Sequence, residues 1–137
     1  MYKIVVGGKI HQSGIDLLEK VKSFEVIVLP DASQETLEKN ISDADAVLLR
    51  LQSFSKPMIE NSPKLKILSR NGVGYDRIDI PELTNKKIPL TIVGDVNSGS
   101  VAEHTIMFIL DLLKNTKRHD AMVREDKWKD RDLLISN

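Results

Sequence analysis

The sequence predicts an α/β fold: a flavodoxin-like, doubly wound parallel sheet of five strands followed by a long helix. Three observations carry that expectation. Short apolar runs rich in branched residues recur at 4–6, 26–29, 46–49, 65–68 and 90–93, with the length and composition of buried strands. Helical patterns fill the intervals, and right-handed crossovers then place helices over both faces of a parallel sheet. A length of 137 residues accommodates one domain of about 100–200 residues, or one domain plus a fragment of another, and leaves no room for two complete ones.

Taken in order, the first strand is followed by Ile15, Leu17, Leu18 and Val21, a stripe for a helix packed on the sheet. Ser33, with Thr36 close behind, opens a second helix carrying Leu37 and Ile41. Shorter helices are expected near 58–61 behind Pro57 and over 81–86 behind Asp79, since proline in a first turn loses no hydrogen bond. The polar loop 94–99 contains two glycines and leads into Ser100, which forms a capping box with Glu103. From Val101 to Leu113 apolar residues cover almost the whole circumference, so this helix is expected to be buried on nearly every side. One sheet face covers about half of it; a second body, either another subunit or a domain outside this chain, is expected on the rest, because a bare helix of this kind would be adhesive. Residues 114–137 are charged, with sparse apolar residues such as Met122, Trp128 and Leu133, and cannot form a domain alone.

Composition removes several function classes. Twenty Lys and Arg balance twenty Asp and Glu, so no global field favours nucleic acid or an anionic membrane. The absence of cysteine excludes disulfides and thiolate chemistry and agrees with a reducing, cytoplasmic setting. No stretch approaches the roughly 18 apolar residues of a membrane span, and the N-terminus does not resemble a signal peptide.

The strongest candidate for chemistry is the run Arg70-Asn71-Gly72-Val73-Gly74-Tyr75-Asp76 after the fourth strand. Doubly wound folds bind ligands at that carboxyl edge. Glycines at 72 and 74 would let consecutive N–H groups converge into a nest for a carboxylate, with arginine adding charge; the plainer alternative is a turn whose glycines merely permit positive φ. A dinucleotide fingerprint is disfavoured, although Asp95 lies about 20 residues on, because Arg77 replaces its third glycine. Arg50, at the end of the third strand, and Asn97, ahead of the capping box, are weaker candidates. His11, His104 and His119 show no metal-ligand spacing, so no metal is assigned. Glu103 and His104 are adjacent on a helix and diverge, which leaves His104 a structural role. Neither a nucleophile elbow nor a phosphate loop is present. A phosphoacceptor module would need acidic residues at the strand ends that Gly7-Gly8 and Arg50 occupy.

In that order, Leu48-Leu49-Arg50, the Arg70 to Asp79 run, Ile88-Pro89-Leu90 and the Val96 to His104 run resemble the D-isomer-specific 2-hydroxyacid dehydrogenases along nearly the whole chain. The resemblance implies a flavodoxin-like substrate-binding domain at 1–99. It also implies that 100–137 is a linking helix and the start of a Rossmann domain binding NAD or NADP. Amides of Val73 and Gly74 would hold the carboxylate of a small 2-hydroxy or 2-oxo acid, with Gly72 in the same loop and Arg50 and Arg70 lining the pocket. Asn97 and Val101 would border substrate and nicotinamide. The family continues into a glycine fingerprint and catalytic residues, whereas this sequence ends at Asn137 with no Gly-x-Gly-x-x-Gly. No catalytic residue is therefore assigned, and the chain is expected to be inactive alone. The alternative is a non-catalytic module that binds a small carboxylate or dimerises through helix 100–113; a homodimer is expected in either case.

Overall fold

The computed structural model describes residues 1–127 and 129; Trp128 and Leu133, named above, lie outside the described residues. Strands β1 (Tyr2–Gly7), β2 (Phe24–Val28), β3 (Ala46–Leu49), β4 (Ile67–Arg70) and β5 (Leu90–Thr91) form one sheet in the order β2-β1-β3-β4-β5. Every pairing is parallel, which is the fold expected from the alternating pattern. The crossovers carry α1 (Gln12–Glu19), α2 (Gln34–Asn40), α3 (Lys56–Glu60) and α4 (Ile80–Asn85), and α5 (Ser98–Lys114) and α6 (Thr116–Arg124) follow the sheet.

Local chemistry explains most boundaries. The Ser33 hydroxyl accepts the Thr36 N–H at α2, and Asp79 accepts the Glu82 N–H at α4. Proline occupies the first turn of α3 and of α4. β4 starts two residues later than the apolar pattern suggests, because the Leu65 N–H donates to Ser62 O in a turn. β5 is short: beyond Thr91 the Val93 N–H leaves the ladder and donates to Gly72 O. Leu17 is 63% exposed and Val21 40% exposed. The helix ends at Glu19, which puts Val21 beyond it and leaves Ile15 as the one buried residue of α1.

The strand register sorts the core onto one face. Val5 pairs with Val47, and Val47 with Leu68; with Leu37, Met58, Ile59 and Leu83 from α2, α3 and α4 they form a continuous buried cluster. Burying side chains of this size contributes roughly 1.5–3 kcal/mol each before entropy is charged against it. The opposite face is covered less completely than the paired-layer expectation. There α1 covers part of the sheet, and Ile4, Leu18, Phe24, Leu48 and Ile67 line an open apolar groove of about 300 Å³.

Backbone contacts divide the chain into two compact units, Met1–Gly94 and a second beginning at Asp95. Gly94, the last residue of the first, adopts φ +68°, a conformation that glycine takes at no steric cost. In the second unit the expected capping box does not form. The Ser98 N–H and hydroxyl both donate to Asp95 O, so α5 starts three residues early, Asn97 takes the cap position without a side-chain bond, and Ser100 lies within the first turn. Asn115 closes α5 in the left-handed region at φ 51°. The expectation of a helix buried on nearly every side is not met within this chain: α5 has no buried residue, and Leu112 is 80% exposed. Among the described residues no helix is long and apolar enough to cross a membrane.

Candidate functional site

The chain runs from β1 outward to β2 and then back across to β3, so the strand order reverses between β1 and β3. Neighbouring crossovers leave on opposite faces at such a point, and a crevice opens beyond the carboxyl ends. Three segments meet that edge: Gly8 to His11 after β1, Arg50 to Ser53 after β3, and Asn71 onward after β4.

Gln52 ties the first two together. Its side-chain nitrogen donates to Gly7 O and, at 3.1 Å, to Ala32 O. Its oxygen accepts the N–H groups of Arg50 and Leu51, each at 3.2 Å. An amide side chain has two donors and two acceptor positions, and all are used here in a residue only 5% exposed. Gly8, at φ +133°, passes close to Ala32 and Gln52 where a side chain would be crowded. Arg50 follows this tie, just past the end of β3, and its Nη1 donates to Lys9 O at 2.9 Å, which links the loops after β1 and β3 a second time.

Two adjoining cavities result. One, about 420 Å³, is lined by Lys9, Ile10, His11, Arg50 and Asn71. The other, about 340 Å³, shares Ile10, His11 and Asn71 and adds Arg70 and Ser69 among its walls. No acidic side chain lines either. Among the described residues Lys9, Arg50 and Arg70 form no ion pair. Asp31, an acid after β2, is committed elsewhere: it accepts bonds from Ser33 and Thr36, which hold its carboxyl below the ordinary value.

The glycine loop differs in detail from the nest the sequence suggested. Neither Gly72 nor Gly74 has positive φ, so left-handed backbone is not what these positions require. A Cβ on Gly72 would lie 2.5 Å from Arg70 Nη1 and 2.9 Å from its Cζ: the glycine makes room for the guanidinium, which lies directly against the loop. The N–H groups of Gly72, Val73, Gly74 and Tyr75 have no acceptor among the described residues. Together with the guanidinium they offer donors of the kind that hold a carboxylate. Gly72, Val73 and Gly74 do not line the two cavities; they continue from Asn71 as a largely exposed loop.

Arg50, Arg70 and the glycine loop thus gather at one edge of the first unit. Asn97 and Val101 belong to the second, where the Val101 N–H donates to Asn97 O at 3.0 Å. His104 packs edge-on against Phe108, one turn along, at 4.3 Å between centroids. Sequence reasoning missed Lys9, His11 and Gln52, and placed Asn71 only within the glycine run. The Gly7-Gly8 pair at the end of the first strand was the available signal for Lys9 and His11, since in a sheet of this order the end of β1 always borders the crevice.

A family model described as D-isomer specific 2-hydroxyacid dehydrogenase, catalytic domain, matches residues 4–129. The chain belongs to that family. It is 35% identical over 129 residues to a D-3-phosphoglycerate dehydrogenase of Methanocaldococcus jannaschii, covering 93% of this chain and 24% of that protein. It is 34% identical over 133 residues to a glyoxylate reductase of Pyrococcus horikoshii, covering 94% and 39% respectively. A solved NAD+-bound 3-phosphoglycerate dehydrogenase of Entamoeba histolytica superposes with a TM-score of 0.68 at 27% identity, over 82% of this chain and 39% of that one. The chain therefore spans about a quarter to two-fifths of the length of these 2-hydroxyacid dehydrogenases. The complete family enzymes use NAD or NADP. The residues of this chain do not form a dinucleotide cradle: the glycine loop meets Arg77 where a third glycine is needed, and no other such run exists.

Proposed function

We propose that this chain is the substrate-binding part of an NAD(P)-dependent D-2-hydroxyacid dehydrogenase, with residues 1–99 as the substrate-binding domain. Residues 100–137 are the linking helix and the start of the nucleotide-binding domain. The break in backbone contacts at Gly94 supports a division close to the start of α5. The observation that carries the reading is the Arg70 guanidinium lying on Gly72 beside amides that have no acceptor among the described residues. There the amides of Val73 and Gly74 hold the carboxylate of a 2-hydroxy or 2-oxo acid, and Arg70 and Arg50 line its pocket. Asn97 and Val101 border substrate and nicotinamide. The dinucleotide supplies the hydride when bound; the residues of this chain bind and orient the acid, and none of them is placed to move the hydroxyl proton. The chain alone is inactive, and its setting is the cytoplasm.

Amide-detected titration with pyruvate tests this. The N–H signals of Gly72 to Tyr75 shift on saturation, and Gly74→Val abolishes the shift, because its new side chain starts 3.2 Å from the Asp76 carboxylate. Unchanged affinity in Gly74→Val defeats the assignment. Incubating the chain with NADH and 2-oxo acids yields no oxidation; turnover would contradict the division of labour.

One observation favours a second reading, a non-catalytic carboxylate-binding or dimerisation module: the exposed apolar residues of α5, among them Ile106, Phe108 and Leu113. In the dehydrogenase reading they meet the remainder of the enzyme or a second subunit of a homodimer. Sedimentation equilibrium separates the cases, since a strictly monomeric chain with α5 accessible to an apolar dye excludes the dimerisation module.

A further inference from the structure

We propose that the cavity between the ends of β1 and β3 is a subsite for a second anionic group of the substrate, so that the acid taken by this chain is charged at both ends. This rests on the carboxylate assignment above, which places that group at the glycine loop beside Arg70, itself a wall of the neighbouring cavity.

Lys9 and Arg50 line the β1–β3 cavity, and the bond from Arg50 Nη1 to Lys9 O ties the exposed guanidinium to the rim of that crevice. His11 stands at the entry to α1. Its Nδ1 is engaged by the Ser13 N–H and hydroxyl, and its Nε2 has no partner among the described residues. Asn71 belongs to both cavities and adds an uncharged polar group where they join. Clustered cations repel one another, and nothing in the walls offsets this, because no carboxylate lines either cavity. A dianion relieves that repulsion, and the planar fork of arginine suits phosphate or carboxylate oxygens. An acid with one charged end satisfies only the Arg70 side. The two spaces share Ile10, His11 and Asn71 and hold about 340 and 420 Å³, enough for a short acid with a terminal phosphate or second carboxylate.

Titration of the whole 137-residue chain with D-glycerate, D-3-phosphoglycerate and D-malate at low salt tests the subsite. At least one doubly acidic ligand binds about tenfold or more tightly than D-glycerate and moves the amides of Lys9 to His11 and Arg50 as well as those of the glycine loop. Whichever of the two binds tighter identifies the second group as phosphate or carboxylate. Lys9→Gln lowers that affinity ratio severalfold, whereas Lys117→Gln, a control on α6, leaves it unchanged. Equal affinity for all three acids with the loop amides still moving overturns the subsite and leaves the carboxylate assignment standing. Loop amides silent towards every acid defeat the carboxylate assignment itself, and the subsite with it.

Discussion

At the amino end of the sheet Lys3 pairs with Asp43 at 2.5 Å and Lys66 with Asp45 at 2.8 Å, while at the carboxyl end Lys9, Arg50 and Arg70 have no carboxylate partner among the described residues. The paired end is closed further: Asp45 also accepts the Lys3 N–H, and the Lys66 ammonium lies 4.3 Å from the Tyr2 ring centre. Its charges are consumed in joining β1, β3 and β4 before the ladders begin. The other end spends its hydrogen bonds differently. Gln52 joins backbone to backbone, and the cations are left without counter-charges. The same five strands thus have one end where charged groups pair with each other and one where, among the described residues, they do not. Unneutralised charge in a cleft is tolerated when a ligand supplies the missing sign.

The largest effect expected from disturbing this contrast is at Gln52. Gln52→Leu keeps most of the volume but removes two donors and two acceptors, leaving Gly7 O and the Arg50 and Leu51 amides to find water or remain unpaired. A loss of about 1–3 kcal/mol follows, read from urea denaturation, together with weaker acid binding as Arg50 loosens. Gln52→Glu tests the same tie without changing shape, since a carboxylate cannot donate to Gly7 O and Ala32 O. If both variants match the wild type, Gln52 is not the tie. Gly8→Ala should cost a similar amount, of order 1–3 kcal/mol, because φ is +133° and the new Cβ would sit 3.2 Å from Ala32 Cβ.

The contrast was only half legible in the sequence. Five apolar runs and their helical intervals are enough to specify a parallel sheet, and a glycine-rich segment after the fourth strand marks the ligand edge; both depend on patterns of neighbouring residues. Gln52 could not be recognised that way. Its partners lie 45 and 20 residues away, and a lone glutamine after a strand has no signature. The closeness of Gly72 to Arg70 was hidden for a related reason: the plainer alternative for a loop glycine, positive φ, is absent here, and the residue yields space to a side chain two positions earlier. The capping box failed because a rival turn at Asp95 began α5 sooner. The apolar circumference of α5 announces a surface suited to being covered, and its pattern alone does not say by what.

A middle-sized effect, confined to binding, is expected from Gly72→Ala. The atoms its Cβ would meet belong to the far end of the Arg70 side chain, which can swing away, so the unfolding midpoint stays close to wild type. The guanidinium no longer lies against the loop, and acid affinity falls severalfold. A double-mutant cycle sharpens this. In an Arg70→Met background, where no guanidinium remains to displace, Gly72→Ala should have little further effect on binding. An equal loss in both backgrounds would mean that the glycine acts on the backbone amides directly.

The smallest effect belongs to the paired end and depends on pH. Hydrogen bonding from Lys3 holds the Asp43 carboxyl below its ordinary value, and hydrogen bonds from the Lys66 ammonium and then the Lys3 N–H do the same for Asp45. A carboxyl depressed in the folded chain binds its proton more readily when unfolded. Its contribution to stability is therefore complete above the ordinary aspartate range and fades as pH falls through the lower, folded value. Lys66 shows the opposite sign: bonding to Asp45 raises its value, so its share is intact at neutral pH and fades only in strong base. Urea midpoints of the wild type and Asp45→Asn should differ slightly at about pH 7, and the gap should narrow as the pH falls below the ordinary aspartate range. A gap that persists unchanged in acid would mean that Asp45 acts through the shape of its turn, and that the two ends of the sheet differ less in their use of charge than the ion pairs imply.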